Sequence, residues 1–145
     1  MSETIFKELR VDHDLQRELL DKLLATQGES KERKDIFKEL KEQLAKHAKF
    51  EERALYKPML SRDNTQDKAR HSIAEHKEID DFIEELESTD MSNASWLAVA
   101  KKLDHRVRHH LEEEEKEIFV SAGIAFTEKE KEDQGSQYAK GMDQG

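Results

Sequence analysis

The chain has 145 residues and a formal net charge of −9, with 25 Lys and Arg against 34 Asp and Glu. This length fits one domain, and 41% charged against 34% hydrophobic residues favours helices with charged outer faces. The absence of cysteine excludes disulfides, thiolate metal sites and a cysteine nucleophile. The acidic charge argues against a nucleic-acid partner. No apolar run is long enough for a membrane span and no signal-peptide pattern is present, so we expect a cytoplasmic protein without a membrane partner.

Apolar residues recur at helical spacing in four segments, which are 3–26, 31–57, 65–88 and 94–121. The links between these segments are short and polar, which favours antiparallel neighbours. The sequence therefore predicts an all-α fold, an up-down-up-down antiparallel four-helix bundle over residues 1–125.

Residues 126–145 lie outside this pattern. Thr127 precedes a charged run and can cap one short extra helix, and Gly123 is expected to end the helix before it. From Gly135 to Gly145 the chain is polar, and we predict a loose tail there.

The sequence nearly repeats itself, without gaps, at an offset of 63 residues. Each half corresponds to one helical hairpin, so the repeat predicts a pseudo-twofold axis. The remaining histidines, His71, His105 and His109, have no counterpart at this offset. The histidines and acidic residues that obey the repeat are His13 with His76, His47 with His110, Glu51 with Glu114, and Glu52 with Glu115.

Four histidines and two glutamates are predicted to meet inside the bundle. They continue the apolar stripes of their helices, which turns their side chains inward. Each histidine lies roughly ten residues from the same end of the bundle, which is about 15–18 Å at 1.5 Å per residue. Each glutamate follows its histidine by one turn. The converging residues are His13, His47, Glu51, His76, His110 and Glu114.

Such a buried group needs compensating positive charge, because an isolated carboxylate in a protein core is strongly unfavourable. Metal cations provide that charge, and imidazole with carboxylate suits Zn, Fe, Cu or Ni. Six ligands exceed the needs of one tetrahedral ion. They suit two metals that take two histidines each and share two bridging glutamates, which leaves open coordination positions for a reactive ligand.

The other histidines are expected outside the core. His71 lies roughly 140° around the helix from His76, which predicts a surface or pocket-rim position. A role as fifth ligand through a local helix bulge is the alternative for His71. His105 and His109 share a stripe that faces solvent.

Several neighbouring residues allow two interpretations. Glu52 and Glu115 either orient imidazole N–H groups or belong to the charged surface. Tyr56 and Phe119 are predicted core residues, and Tyr56 can alternatively donate a hydrogen bond near the metals. Other metal folds are excluded by spacing, because no histidine is preceded three residues earlier by Glu, as ferritin-like sites require, and HExxH is absent.

The motifs HAKFEERALYKP (47–58), EHKEI (75–79) and HLEEEEKEIF (110–119) resemble those of the hemerythrin-like, HHE cation-binding family. The resemblance covers roughly residues 5–125, and the tail TEKEKEDQGSQYAK (127–140) also looks like the extra short helix of many family members. It implies a four-helix bundle around a non-haem di-iron centre. In that arrangement His13 and His47 would bind one iron and His76 and His110 the other, with Glu51 and Glu114 bridging.

The chain departs from the oxygen-carrying hemerythrins at two positions. They have a fifth histidine where this chain has Ser72, and an Asp five residues after the last histidine, where this chain has Glu114 at four. The chain is more similar to the branch with four histidines and two glutamates, which is associated with nitrosative and oxidative stress.

The resemblance implies a protein that binds or reacts with nitric oxide, peroxide or oxygen in stress defence, with or without turnover. The alternative is an oxygen-, iron- or redox-sensing or iron-storing module without turnover. Iron is the expected metal, with manganese or zinc as less favoured choices. A small oxidant and a redox partner of unknown identity are the expected partners of a monomer or weak homo-oligomer.

Overall fold

A computed structural model describes residues 4–144 of the chain, which are almost entirely helical and contain no strand. The prediction of an all-helical bundle is confirmed. Four long helices pack in two antiparallel hairpins, α1 with α2 and α4 with α5, and α1 also packs against α5. The long helices are α1 (Ile5–Leu24), α2 (Lys31–Glu51), α4 (Gln66–Glu87) and α5 (Ala94–Glu113).

The turn between α1 and α2 shows how the sequence sets the helix ends. Gly28 adopts φ = 56°, in the left-handed region that other residues avoid. Ser30 then accepts a hydrogen bond from the Arg33 amide and caps α2. The predicted start of the first helix, at residue 3, lies outside the described residues.

Two π-helical segments interrupt the long helices directly after the inward glutamates. Glu52–Tyr56 joins α2 to α3 (Lys57–Leu60), and Glu114–Ile118 joins α5 to α6 (Phe119–Ala125). These segments were not predicted from the sequence, although its inward positions advance by four residues twice in succession. Each such step turns an α-helix about 40° too far, and a widened turn corrects this drift.

The apolar core consists of two clusters. One includes Leu20, Leu40 and Trp96, and the other includes Leu9 and Tyr56, all fully buried. The polar layer predicted from the sequence lies between them. No helix in residues 4–144 is both long and apolar enough to span a membrane.

The C-terminal part of the chain differs from the prediction. The helix before it does not stop at Gly123 but continues to Ala125. The extra helix, α7, covers Glu128–Gln144, so the expectation of a loose tail from Gly135 is wrong for the described residues. This helix packs against α1 and α2, and its buried face fixes it to the bundle.

Candidate metal centre

The structure brings the six predicted residues together in one buried layer. Each of the six is at most 6% exposed. In the first half of the repeat, the His47 Nε2 atom lies 3.4 Å from Glu51 Oε1. In the second half, the His110 Nε2 atom lies 3.5 Å from Glu114 Oε2. Contacts also connect the two halves. His13 Nε2 lies 3.0 Å from Glu114 Oε1, and His76 Nε2 lies 3.3 Å from Glu51 Oε1.

The six residues form two overlapping groups of four, each able to hold one cation. Within each group the potential ligand atoms all lie within 4.8 Å of one another. Both groups contain Glu51 and Glu114, so the two carboxylates lie between two pairs of imidazoles. The pairs are His13 with His47 and His76 with His110.

Most of the nitrogen and oxygen atoms that face the centre have no hydrogen-bond partner among the described residues. All four histidine Nε2 atoms, both oxygens of Glu51 and Oε1 of Glu114 are buried without a hydrogen-bond partner within residues 4–144. Buried polar atoms are normally satisfied, because leaving one without a partner costs about 1–3 kcal/mol. Seven such atoms aimed into one small volume fit a cation-binding centre, since nitrogen lone pairs and carboxylates are metal ligands.

The opposite nitrogen of every imidazole has a partner. The Nδ1 atoms of His13, His76 and His110 each lie 2.7 Å from a carboxylate oxygen, and that of His47 lies 2.6 Å from a tyrosine hydroxyl. An acceptor at Nδ1 retains the proton there and leaves the Nε2 lone pair directed at the centre. The four partners, in the same order, are Glu115, Glu52, Glu75 and Tyr138.

Burial and hydrogen bonding shift the imidazole pKa values in different directions. Burial lowers the pKa of His13 to about 4, against the opposing effect of its hydrogen bond with Glu115. Burial likewise lowers the pKa of His110. For His76, burial also acts to lower the pKa, but the neighbouring carboxylates of Glu51 and Glu52 raise it to about 9.

The pKa values of the two central carboxylates are also shifted in opposite directions. Burial raises the pKa of Glu114 well above its ordinary value, and the nearby Glu51 carboxylate raises it further. Burial acts on the pKa of Glu51 in the same sense, but His47 and His76 lower it well below the ordinary value. Two carboxylates in one buried volume cannot both ionise without a compensating cation, which is the charge that a metal would supply.

The first and second halves of the centre are not identical. Tyr56 donates a hydrogen bond to Glu114, whereas its counterpart in the repeat, Phe119, has no hydroxyl to offer Glu51. Both aromatic side chains are buried, so the core prediction and the hydrogen-bond alternative for Tyr56 hold together. Ser72 is also buried in α4, and its hydroxyl has no hydrogen-bond partner in the described part of the chain.

The open interpretation of Glu52 and Glu115 is decided by these contacts, since both carboxylates bind imidazole nitrogens. Arg17 holds Glu115 through two hydrogen bonds, of 2.9 and 3.2 Å. Burial raises the pKa of Glu115, but His13 and Arg17 together bring it down to about 2. This carboxylate is therefore ionised at neutral pH and holds the N–H of its imidazole.

The three histidines outside the repeat lie at the surface, as the sequence predicted. The side chains of His71 and His109 are 56% and 57% exposed, and His105 is exposed as well. His71 instead joins Glu75 and Glu113 in a separate, partly exposed acidic group. The guanidinium of Arg106, 2.7 Å from Glu75, already supplies positive charge there.

Among the residues that touch the imidazoles or their partners, sequence reasoning missed Glu75, Asp12 and Tyr138. Glu75 was noticed only as part of a motif, and Asp12 and Tyr138 were not singled out. The repeat contained a signal for two of them, because Asp12 is the counterpart of Glu75 at the 63-residue offset. For Tyr138 the signal was the four-residue spacing from Gln134, which places both on one helix face.

A cavity of about 10 Å³ lies beside three of the histidines, His47, His76 and His110. This space accommodates a single water-sized molecule. Ala48 and Asp80 line both this cavity and an open surface groove of about 550 Å³. These two residues therefore lie between the groove and the cavity beside the centre.

The geometry agrees with the comparison to known families. The model of the hemerythrin HHE cation-binding domain matches residues 4–121. The chain belongs to this family. The match ends before α7, so the hemerythrin-like bundle is the part of the chain that the family description covers, and the last helix is an addition to it.

A solved structure with the same fold comes from Mycobacterium kansasii and is described as a hemerythrin HHE cation-binding domain-containing protein. Its sequence is 25% identical to this hemerythrin-like chain, with a TM-score of 0.87. The similarity covers 98% of this chain and 86% of that one, so it includes α7. No curated protein matches the chain.

Proposed function

We propose that this hemerythrin-like protein holds two iron ions and uses them to bind or react with a small oxidant, nitric oxide, peroxide or oxygen, in stress defence. The observation that carries the proposal is the pair of overlapping His/Glu groups, in which seven buried nitrogen and oxygen atoms have no hydrogen-bond partner among the described residues. A cytoplasmic location and a separate redox partner belong to the same proposal.

The residues divide naturally between two ions. His13 and His47 would hold one, His76 and His110 the other, and both glutamates, Glu51 and Glu114, would bridge. Each ion then has about four protein ligands, fewer than iron accepts in an octahedral site, so a small molecule has room to bind. When bound, the iron pair supplies one-electron redox chemistry and a binding position for the oxidant.

The protein's own residues control what reaches that position. The acceptors at Nδ1 hold the four imidazoles in the tautomer that can bind metal. Tyr56 holds one oxygen of Glu114 by donating its hydroxyl proton. The cavity of about 10 Å³ beside three of the histidines favours a very small molecule over a larger substrate.

The metal assignment is tested by measuring metal content per chain together with the electronic spectrum, before and after His110→Ala. We expect two iron ions per wild-type chain, and a lower stoichiometry with a changed spectrum in the variant. His105→Ala is the matched control, because His105 is exposed on the same helix. Retention of zinc or manganese in place of iron, or a colourless and metal-free chain after reconstitution with iron, would contradict the proposal.

The reaction is tested by anaerobic stopped-flow mixing of the ferrous protein with nitric oxide, peroxide and oxygen in turn. A spectral change followed by turnover with one of them is expected. No change with any of the three would refute reactivity. Reversible oxygen uptake without turnover would favour the sensing or iron-storing alternative.

A further inference from the structure

The extra helix α7 is held against the bundle by a close helix–helix contact. Its buried face contains Gln134, Gly135 and Tyr138. At Gly141, a Cβ atom would come closer than 3.0 Å to three carbons of the Phe50 ring on α2. Only glycine permits this approach, so α7 is seated at a defined distance from the helix that carries His47.

Tyr138 projects from this face into the candidate metal centre. Its hydroxyl lies 2.6 Å from Nδ1 of His47 and donates a hydrogen bond to Asp12 on α1. A tyrosine hydroxyl has one proton, and here that proton goes to the Asp12 carboxylate. The hydroxyl oxygen must therefore accept the Nδ1–H of His47, which leaves the Nε2 lone pair facing the centre.

The 63-residue repeat explains why a tyrosine is needed at this place. In the second half, Glu75 accepts directly from His110 Nδ1 at 2.7 Å. Its counterpart Asp12 is one methylene shorter, and its Oδ2 atom is 4.0 Å from His47 Nδ1, too far for a hydrogen bond. The Tyr138 hydroxyl lies between the two and completes the connection.

The residues behind these carboxylates are repeated as well. Arg106 binds Glu75 at 2.7 Å in the second half. Its counterpart Gln43 donates to Asp12 at 3.4 Å in the first half. The two halves thus have equivalent residues at these positions, but His110 is held by a carboxylate that an arginine binds. The corresponding imidazole, His47, is held by a neutral phenol.

We propose that α7 is part of the metal centre and that Tyr138 is a positioning residue, which replaces the missing carboxylate contact of His47 and makes the two divalent-cation positions unequal. This inference rests on the proposed function, because it concerns the same centre. Loss of the hydroxyl weakens the position that contains His13 and His47 and leaves the position of His76 and His110 unchanged.

The test compares the full-length wild-type chain with Tyr138→Phe, which keeps the buried ring and removes only the hydroxyl. Anaerobic titration of Fe²⁺ against a competing chelator should show the affinity of one of two positions reduced on the order of 10- to 100-fold, the usual effect of losing such a partner. Gln134→Ala, on the same buried face of α7, is the control for a general loss of helix packing.

A second substitution that restores the lost affinity distinguishes a positioning role of Tyr138 from a role in helix packing. In Asp12→Glu combined with Tyr138→Phe, the longer side chain reproduces the Glu75 arrangement and should restore most of the lost affinity. Mössbauer spectra of the ⁵⁷Fe-loaded proteins should show one of two iron signals changed in Tyr138→Phe and recovered in the double variant. In the metal-free chain, ¹⁵N NMR should show His47 shifting away from the Nδ1–H tautomer in Tyr138→Phe alone.

Tyr138→Phe with two wild-type-like affinities and an unchanged His47 tautomer would overturn this inference while the proposed function stands. An equal loss in Tyr138→Phe and Gln134→Ala, without rescue by Asp12→Glu, would also overturn it, since packing alone would then explain the effect. A wild-type chain that binds no iron would overturn both proposals.

Discussion

The substitution Glu114→Gln should stabilise the metal-free protein while it removes metal binding. Burial and the Glu51 carboxylate raise the pKa of Glu114 well above its ordinary value of 4.5. The folded chain therefore retains a proton that the unfolded chain releases at neutral pH, and stability falls as pH rises above 4.5. Glutamine has the shape of the protonated acid and does not need that proton.

The magnitude follows from the pH interval over which the proton is held. About 2.5 pH units separate the ordinary pKa of 4.5 from pH 7. At 1.36 kcal/mol per unit, holding this proton costs the folded wild type at most about 3 kcal/mol of stability at pH 7. The amide keeps the hydrogen bonds open to the protonated acid. Its NH₂ group can donate to His13 Nε2, which lies 3.0 Å from Oε1 in the wild type, while Tyr56 still donates to the other oxygen. We expect a gain of about 1–3 kcal/mol at pH 7, several degrees in Tm.

The assay is urea unfolding followed by circular dichroism, in a metal chelator, at pH 7 and at pH 5. The advantage of Glu114→Gln should shrink to less than about 1 kcal/mol at pH 5, because little of the interval above 4.5 then remains. With excess Fe²⁺ under anaerobic conditions, the wild type should become more stable than Glu114→Gln. Saturation at 100 times Kd adds about 2.7 kcal/mol per site to the wild type alone.

Two results would refute this reasoning. One is a variant less stable than the wild type in chelator at pH 7, which would mean that the buried carboxylate stabilises the metal-free fold. The other is an advantage of the same size at both pH values, which would separate it from the proton at Glu114.

Three further predictions concern the surroundings of the centre and the core. Glu115, with its pKa held at about 2 by His13 and Arg17 against burial, stabilises the fold above pH 4.5, and this contribution is lost as pH falls towards 2. In a chelator, the free energy of unfolding of the wild type should therefore fall by on the order of 1–2 kcal/mol more than that of Glu115→Gln across this pH range, a value reduced for solvent screening. Urea unfolding at stepped pH measures this difference. Tyr56→Phe should keep the fold but lower metal affinity on the order of 10-fold in a chelator competition, and unchanged affinity would exclude a role for its hydroxyl. Leu40→Ala, at a fully buried position away from the centre, should lower the free energy of unfolding by about 2–5 kcal/mol with unchanged metal stoichiometry, whereas metal loss would show that core and centre are coupled.

The sequence by itself determined the helices and which side chains face inward. Helical periodicity is a local property, so the stripe through Leu44, His47 and Glu51 indicates a buried face without knowledge of any other helix. The repeat then related the second half to the first, which placed His110 and Glu114 at the same depth. The family resemblance rested on these residues and was confirmed.

Tertiary structure alone decided what holds these side chains in place. The contacts of His13 with Glu115 and of His47 with Tyr138 join residues 102 and 91 positions apart, and no periodicity encodes such distances. The tail was predicted to be loose because its residues are polar, and its packing depends on a glycine that fits against Phe50. A helix with so little apolar surface becomes ordered only where another helix presents the matching face, and that match exists only in three dimensions.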